Sequence, residues 1–340
     1  MAYGLAPVKK VRRGITQLTL TEKAAQQCSA ILADLCQTYA TADNPLFLRQ
    51  LSGLAAQLPA ELRNTLNEMR YGESIAALMI RNGPVGEPDS PTPGHWKERD
   101  PRSTARQDFW LAMVSSHLGE PVGWASLQDG RIFNDILPIS GEEDEQTGHG
   151  SSTDLELHVE DCFSDERCDA LALLCLRNVD RVPNLITTAV GLDFSSLDLD
   201  ALFSDRFLIS PDSEHLRRSA CPSQDTDRKQ PLLFGSPESP YLRVDLPYTR
   251  AFPGDTRAEE ALTAFAALLR QNAMEVRLAE GDLLVVDNYR ALHGRGRFRA
   301  RYDGTDRWMR KLTVVRDLRR SRGFRRGPED RVIDPFGQLA

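Results

Sequence analysis

The chain has 340 residues, of which 41% are hydrophobic and 27% are charged, an ordinary composition for a soluble globular protein. Its formal net charge of −7 argues against a nucleic-acid-binding protein, and no apolar run reaches the roughly 18 residues that a membrane span requires. The six cysteines form no Cys-x-x-Cys pair, and the N-terminus shows no signal peptide. These features predict a protein of the reducing cytoplasm with neither a nucleic-acid nor a membrane partner.

The N-terminal part, residues 1–74, is predicted to be mainly helical. Thr19-Leu20-Thr21-Glu22 matches a capping box, and apolar residues at helical spacing follow it through residue 40. Two further helices are predicted over 46–58 and 60–70. We interpret this part as a packing layer without catalytic residues.

From residue 75 onward the pattern changes to short strand-like runs. The Pro- and Gly-rich segment 83–101 is predicted as a long irregular loop, and helices are predicted over 106–119 and 257–273. The strand-like runs cover 121–126, 132–139, 155–161, 171–178, 206–210, 241–246, 275–288 and 309–317. Many short strands with packing helices predict an α+β fold whose core, at 75–320, is a jelly roll or another antiparallel sandwich.

Two polar connections interrupt this core. One is the acidic, Gly-rich segment 141–152 and the other is the polar segment 212–230. Both are predicted as lid segments, because long connections in compact domains often cover a site, and the sequence does not distinguish which of the two is the lid. The locally basic segment 317-DLRRSRGFRRGPEDR-331 is interpreted as solvated or packing chain, and residues 321–340 are assigned as the tail. We predict one domain over residues 1–340.

A possible metal site begins in the stretch 155-LELHVEDCF-163. Residues two apart on a strand point to the same face, so His158 and Glu160 would present an imidazole and a carboxylate side by side. A half-exposed strand that carries these residue types by chance is the simpler reading of this spacing alone. The remaining histidines therefore decide between the two readings.

His293 is the histidine that stands out, because it follows a buried strand and directly precedes Gly294. Two histidines and one carboxylate form the facial triad of non-haem Fe(II) oxygenases, and a His₂Glu zinc site is the alternative. The zinc motif H-E-x-x-H is absent, and the 135 residues between His158 and His293 favour iron. The other histidines are interpreted as incidental: His95, His117, His149 and His215.

Arg307 lies fourteen residues after His293, at the head of the last strand-like run. A 2-oxo acid co-substrate that chelates iron has a second carboxylate, and an arginine fork suits that group. We expect the strand that begins at Arg307 to pair next to the strand of His293. The pattern as a whole favours an oxygenase.

Three stretches carry a resemblance to a known family: 155-LELHVEDCFSDERCDALALLCLRN-178, 236-SPESPYLRVD-245 and 286-VDNYRALHGRGRFRARYDGTDRWMRKLTVVRDL-318. They resemble clavaminate synthase and its relatives, Fe(II)- and 2-oxoglutarate-dependent oxygenases that include the arginine β-hydroxylase of viomycin biosynthesis. The resemblance spans roughly residues 75–320. It implies a distorted double-stranded β-helix (jelly roll) with flanking helices, and a role in making specialised metabolites such as peptide antibiotics.

The resemblance also implies roles for individual residues. His158, Glu160 and His293 would bind Fe(II), leaving room for 2-oxoglutarate and O₂. Arg307 would hold the distal carboxylate of 2-oxoglutarate, with help from Thr187 or Thr188 in 184-NLITTAVGL-192. The presence of Glu160 argues against halogenation, because related halogenases leave that ligand position empty for chloride.

Free amino-acid substrates imply a further set of contacts. Gln128 and Glu160 would bind the α-amino group. The family arginine for the α-carboxylate is replaced by Lys311, which keeps the charge without the bidentate fork, so its role is either weakened or shared with Arg310.

The side-chain end of the substrate site departs from the arginine hydroxylases. Their Asp-x-Asp pair reads Asp245-Leu246-Pro247 here, and Asp212 matches an aspartate near the lid, with Glu214 where a serine is common. We expect hydroxylation at C3 or C4 of citrulline first, arginine next and lysine third. Desaturation of the same substrates, a zinc hydrolase and a non-catalytic jelly-roll binding protein stay as alternatives.

Overall fold

A computed structural model describes residues 8–217 and 228–337 of the chain. Seven α-helices are found in these two ranges: α1 (Glu22–Thr38), α2 (Pro45–Ala55), α3 (Ala60–Tyr71), α4 (Ala105–Ser115), α5 (Leu199–Leu202), α6 (Ser213–Arg217) and α7 (Thr256–Gln271). The helices predicted near residues 22, 46, 60, 106 and 257 are thus confirmed, with shifts at their ends. None of the helices in the described ranges is long and apolar enough to cross a membrane.

The strands of the described residues form two main sheets. Nine strands form the larger sheet: β1 (Val8–Arg12), β2 (Gly14–Thr19), β3 (Ile75–Arg81), β4 (Glu120–Trp124), β5 (Phe133–Ile136), β7 (Ala170–Arg177), β14 (Leu283–Asp287), β16 (Trp308–Val315) and β17 (Val332–Ile333). Four strands form the smaller sheet: β6 (Leu155–His158), β8 (Asn184–Thr188), β13 (Met274–Val276) and β15 (Ala291–Arg295). Two short pairs complete the set: β9 (Phe207–Ile209) with β12 (Thr249–Ala251), and β10 (Leu233–Ser236) with β11 (Ser239–Leu242).

The larger sheet has the order β1-β2-β3-β14-β7-β16-β4-β17, with β5 also paired to β16. Its pairs are antiparallel except β2 with β3 and β4 with β17. The smaller sheet has the order β13-β8-β15-β6 and is antiparallel throughout. The result is a mixed-sheet α+β architecture.

The alternation of side chains along β14 divides the core into layers. Leu283 and Val285 pack with helices α1–α4 on one face of the larger sheet, and Leu284 and Val286 pack towards the smaller sheet on the other. A third cluster lies between the smaller sheet and α5 and α7, where Phe265 is fully buried. The layer between the two sheets is therefore apolar around Leu284 and Val286, and polar side chains that enter it need partners or a ligand.

Helix α1 begins differently from the capping box predicted at Thr19. The N-cap is Thr21, whose hydroxyl accepts a hydrogen bond from the Ala24 amide at 3.2 Å. Thr19 is the last residue of β2 and pairs with Arg81 of β3. Because its backbone belongs to the sheet, Thr19 does not cap the helix. The first 74 residues thus contribute two strands as well as three helices.

The two predicted lid segments contact each other. Arg217 on α6 forms ion pairs with Glu142 at 2.9 Å and Glu145 at 2.7 Å, and the Ser213 hydroxyl donates to Glu145 at 3.0 Å. Residues 218–227 of the second predicted lid lie outside the described residues. Lid function itself stays a prediction.

Candidate active site

The site is built on the pairing of β6 with β15. His158 is the last residue of β6, and His293 is its direct partner in the middle of β15. The centroids of the two imidazole rings lie 4.1 Å apart. Two residues 135 positions apart thus become neighbours because of one strand register.

Glu160 completes a triad with these two histidines. Its Oε2 lies 3.3 Å from His293 Nε2 and 3.9 Å from His158 Nε2, and one ligand atom from each residue lies within 4.8 Å of the others. His158 Nδ1 donates to the Glu156 carbonyl at 2.9 Å. The lone pair of Nε2 is therefore free to bind a metal ion between the three side chains. One ion can therefore bind all three side chains.

The backbone of Glu160 is held by Asn288, which sequence reasoning missed. The Asn288 side chain accepts from the Glu160 amide at 2.8 Å and donates to the Glu160 carbonyl at 2.9 Å. Its amide also donates to the Cys168 carbonyl at 3.0 Å. The break of the apolar run at Asp287-Asn288 was the only sequence signal for this contact.

The protonation states of His158 and Glu160 suit a metal site. Burial and the neighbouring His293 lower the pKa of His158 to about 3, so its imidazole is neutral at pH 7. Burial alone would raise the pKa of Glu160, but Lys311 and His293 outweigh it and hold that pKa well below its usual range. Neutral imidazoles and an ionised carboxylate are the forms that bind a divalent metal, and the donor set is the one that non-haem iron oxygenases use.

Arg307 points into the cavity between the two sheets. Its guanidinium is buried, donates through Nη2 to Asn184 Oδ1 at 2.9 Å, and has an unpaired Nε among the described residues. Burial lowers its pKa to about 10, which leaves it charged at pH 7. A buried guanidinium with no carboxylate partner in the described ranges fits an anionic ligand.

Strand β16, which begins directly after Arg307, does not pair with β15, the strand of His293. The pairing of these two strands that the sequence led us to expect is therefore wrong. Strand β16 pairs with β4, β5 and β7 in the larger sheet, and Arg307 lines the same cavity as His158, Glu160 and His293 from across the gap between the sheets. Spacing along the sequence could not distinguish a neighbour in one sheet from a neighbour across two.

The hydroxyls of Thr187 and Thr188 are bonded away from Arg307. Thr187 donates to the Leu269 carbonyl at 3.0 Å, and Thr188 donates to the Arg13 carbonyl at 3.0 Å. Neither threonine lines the cavity, whereas Asn184 on the same strand does. The structure therefore brings Asn184, and neither threonine, to Arg307.

Arg295 is a second buried arginine in the cavity wall, and it was not predicted. It follows His293 by two residues in β15, so both side chains lie on the same face. Its guanidinium donates to the Gly150 carbonyl and, at 2.8 Å, to the Thr153 carbonyl. Burial and the nearby Arg307 lower its pKa to about 9. It adds positive charge next to Arg307.

Acidic side chains line another part of the cavity. The backbone of Asp245 pairs with that of His158 in an isolated antiparallel β-bridge, and the side chains of Asp245, Asp212 and Glu214 line the same wall. Burial, then the carboxylates of Asp212 and Glu160, raise the pKa of Asp245 well above its usual range. Burial likewise raises the pKa of Asp212. Carboxylates crowded in this way bind a cation favourably.

The three remaining predicted contacts differ in outcome. Lys311 lines the cavity and donates to Glu160 Oε1. Gln128 is buried beside the cavity, but its side-chain amide is bonded to the backbone of Asp135. Its Nε2 donates to the Asp135 carbonyl at 2.7 Å, and its Oε1 accepts from the Asp135 amide at 2.9 Å. Arg310 points to the opposite face of the sheet, where it pairs with Asp108 at 2.8 Å and with Asp135 at 2.9 Å, so it cannot share the role of Lys311.

Two histidines interpreted as incidental are buried and bonded. His149 lies 3.7 Å from Glu214 Oε1, and Glu214 outweighs the effect of burial to raise the pKa of His149. His215 contacts Ser126 and Asp161. Their partners lie far away in sequence, which is why spacing gave no signal.

The site thus defines a non-haem iron oxygenase, and comparison with known proteins agrees. The chain is 36% identical to an L-ornithine/L-arginine 3-hydroxylase of Catenulispora acidiphila and 34% identical to an enduracididine beta-hydroxylase of Streptomyces hygroscopicus, in each case over 93% of this chain and 99% of the relative. The taurine catabolism dioxygenase TauD, TfdA family matches residues 200–313, which include His293 and Arg307.

Solved structures of the non-haem iron oxygenase OrfP match as well. The complex with Fe, succinate and (3S)-hydroxy-L-Arg aligns with a TM-score of 0.86 at 36% identity, over 93% of this chain and 99% of that one. The complex with Fe and alpha-ketoglutaric acid aligns with the same TM-score at 38% identity. The chain belongs to the TauD/TfdA dioxygenase family, among its clavaminate synthase-like members, and its cofactors are Fe(II) and 2-oxoglutarate.

Proposed function

We propose that this dioxygenase hydroxylates C3 of free L-arginine. The balanced reaction is L-arginine plus 2-oxoglutarate plus O₂ giving 3-hydroxyarginine, succinate and CO₂. The bound iron supplies the oxidising chemistry, and the protein supplies binding, orientation and exclusion of water. The two facing sheets would correspond to a distorted jelly roll with the iron site between them.

One observation carries this proposal. Asp212, Glu214 and Asp245 line one cavity together with His158, and a backbone β-bridge places Asp245 beside His158. Three carboxylates favour a cationic side chain over the neutral ureido group of citrulline, because each charge-assisted hydrogen bond is worth roughly 1.5–3 kcal/mol. The second aspartate of the family pair is Pro247 here, and we propose that Glu214 takes its place.

The same cavity supports assignments for the other contacts. His158, Glu160 and His293 would bind iron, and Arg307 with Asn184 would bind the distal carboxylate of 2-oxoglutarate. Lys311 would release Glu160 and bind the substrate α-carboxylate. Gln128 would bind the α-amino group only if its amide leaves the Asp135 backbone, so Glu160 is the stronger candidate there.

The test is aerobic turnover with Fe(II), 2-oxoglutarate and ascorbate, read by mass spectrometry. The panel is arginine, ornithine, lysine, citrulline, asparagine and glutamine. We expect a gain of one oxygen on arginine, matched by succinate, with citrulline much slower. Loss of two hydrogens would identify a desaturase, and activity without 2-oxoglutarate would contradict the proposal.

Lysine is a second candidate substrate. An L-lysine 3-hydroxylase of Catenulispora acidiphila is 28% identical to this chain, over 91% of this chain and 86% of the relative. A primary ammonium would also be stabilised by the three carboxylates, but it lacks the planar fork that two or more carboxylates can share. We therefore expect lysine to be turned over more slowly than arginine.

A further inference from the structure

We propose that His215 is a positioning residue that fixes the distance between the acidic part of the substrate cavity and the iron site. The proposal rests on the proposed function, because it concerns how a cationic amino acid is held relative to the metal. His215 lies on α6, within three residues of both Asp212 and Glu214, which line the cavity. The His215 amide also donates to Asp212 Oδ1 at 2.9 Å.

Both ring nitrogens of His215 are used, and each contacts a different segment of the chain. Nε2 lies 2.9 Å from Asp161 Oδ1, and Nδ1 lies 2.7 Å from Ser126 Oγ. Asp161 directly follows the iron ligand Glu160, and Ser126 follows β4 of the larger sheet. With its side chain only 1% exposed, His215 connects α6 both to the metal-binding segment and to the sheet.

Aromatic rings hold the imidazole in this orientation. Trp124 and Phe163 pack edge-on against it, with centroid distances of 5.3 and 4.9 Å, and Phe336 lies at 6.1 Å. Phe336 comes from the C-terminal segment and also stacks on Phe163. Such a ring has few alternative rotamers, so its two bonds are directional and stiff.

The segment at the other end of the contact is equally constrained. Asp161 has a φ of +51°, in the left-handed region that few residues other than glycine, asparagine and aspartate adopt readily. The preceding residue, Glu160, is fixed through its backbone by Asn288. The His215–Asp161 contact therefore joins the residue next to Glu160 to the segment that carries Asp212 and Glu214.

This connection sets which carbon of the substrate faces the metal. If Asp212 and Glu214 bind the cationic end of the side chain, their distance from Glu160 determines the C–H bond that lies nearest the iron. A misplacement of about 1 Å can cost on the order of 100-fold in rate. Loosening His215 should therefore mix the products and consume 2-oxoglutarate without hydroxylation.

The experiment uses the full chain and the variant His215→Phe, which keeps an aromatic ring among Trp124, Phe163 and Phe336 but has no ring nitrogen. We expect kcat/KM for arginine to fall about 10- to 100-fold, hydroxyarginine per succinate to fall several-fold, and hydroxyl groups to appear at carbons next to C3. His215→Gln keeps a donor for Asp161 and should restore much of the coupling. The Kd of the metal-free protein for arginine, by calorimetry, should rise in parallel.

His117→Gln is the matched control. His117 Nε2 donates one hydrogen bond to the Ala55 carbonyl at 3.1 Å, and His117 lies outside the cavity wall, so the product ratio of this variant should match that of the wild type. If His215→Phe fails to fold, Asp161→Gly keeps the left-handed backbone, removes the same contact and should give the same mixed products.

A folded variant with wild-type regiochemistry and coupling would overturn the proposal. Failure of the proposed function would instead be seen in the wild-type enzyme, as no product from arginine.

Discussion

His158 and His293 face each other directly across β6 and β15, and Glu160 Oε2 lies 3.3 Å from the His293 ring. The pairing explains why a metal site can arise from one register of two short strands. It also makes the site sensitive to any change that shifts β6 relative to β15.

Removal of Glu160 should eliminate iron binding. Glu160→Ala takes away one of three ligands, and the loss should exceed the roughly 10–100-fold that an outer-shell partner costs. Fe(II) affinity measured by anaerobic calorimetry checks this. Glu275→Gln, at a surface ion pair with Arg277, is the control and should bind iron as the wild type does. If the Glu160→Ala variant still binds Fe(II) tightly, Glu160 is not an iron ligand.

Arg307 and Asn184 should determine the affinity for 2-oxoglutarate. Arg307→Lys loses the bidentate fork and should raise the KM for 2-oxoglutarate by about 10-fold or more, and Asn184→Ala should raise it less. Thr187→Val removes the hydroxyl that was predicted to help and should leave this KM unchanged, because that hydroxyl bonds to Leu269. A KM for 2-oxoglutarate that rises in Thr187→Val and stays unchanged in Asn184→Ala would instead support the threonine that the sequence analysis expected beside Arg307.

Asp245 should discriminate between charged and neutral side chains. Asp245→Asn removes one carboxylate from the cavity wall, so kcat/KM for arginine should fall by about 10- to 100-fold while citrulline improves relative to it. Competition between the two amino acids in one reaction, read by mass spectrometry, measures the shift. An unchanged ratio would mean that Asp245 does not contact the side chain.

The His149–Glu214 ion pair should give a defined pH dependence of stability. The pKa of His149 is raised from 6.5 by Glu214 despite burial, and the pKa of Glu214 falls from 4.5 to about 2 because His149 outweighs burial. The contribution from His149 is complete below pH 6.5 and is lost as the pH rises through its raised value. The contribution from Glu214 is present above pH 4.5 and is lost towards pH 2.

Glu214→Gln tests this pair through chemical denaturation at several pH values. The variant should lose roughly 1–3 kcal/mol of unfolding free energy near pH 5–6, and the difference from the wild type should shrink as the pH rises. A loss of stability that is constant across this range would show that the pair is not ionised.

Local patterns in the sequence predicted the helices and strands well, but they predicted poorly which segments meet in the folded chain. The helix after Thr21 and the His158–Glu160 spacing were visible because both depend on residues a few positions apart. The N-cap was misplaced because β2 extends to Thr19, which only its pairing with β3 reveals.

The site residues that were missed have their partners far along the chain. Asn288 contacts Glu160 from 128 residues away, and His215 contacts Ser126 from 89 residues away. The position of Arg307 across the gap between sheets likewise depends on which sheet β16 joins. A cytoplasmic location and the lid roles of 141–152 and 212–230 stay predictions.

One reaction in ¹⁸O₂ with L-arginine, Fe(II) and 2-oxoglutarate tests the central claim most directly. The account predicts equal amounts of succinate and 3-hydroxyarginine, with label from O₂ in the new hydroxyl group. Hydroxyarginine formed without succinate, or succinate formed at the same rate whether or not an amino acid is present, would contradict it.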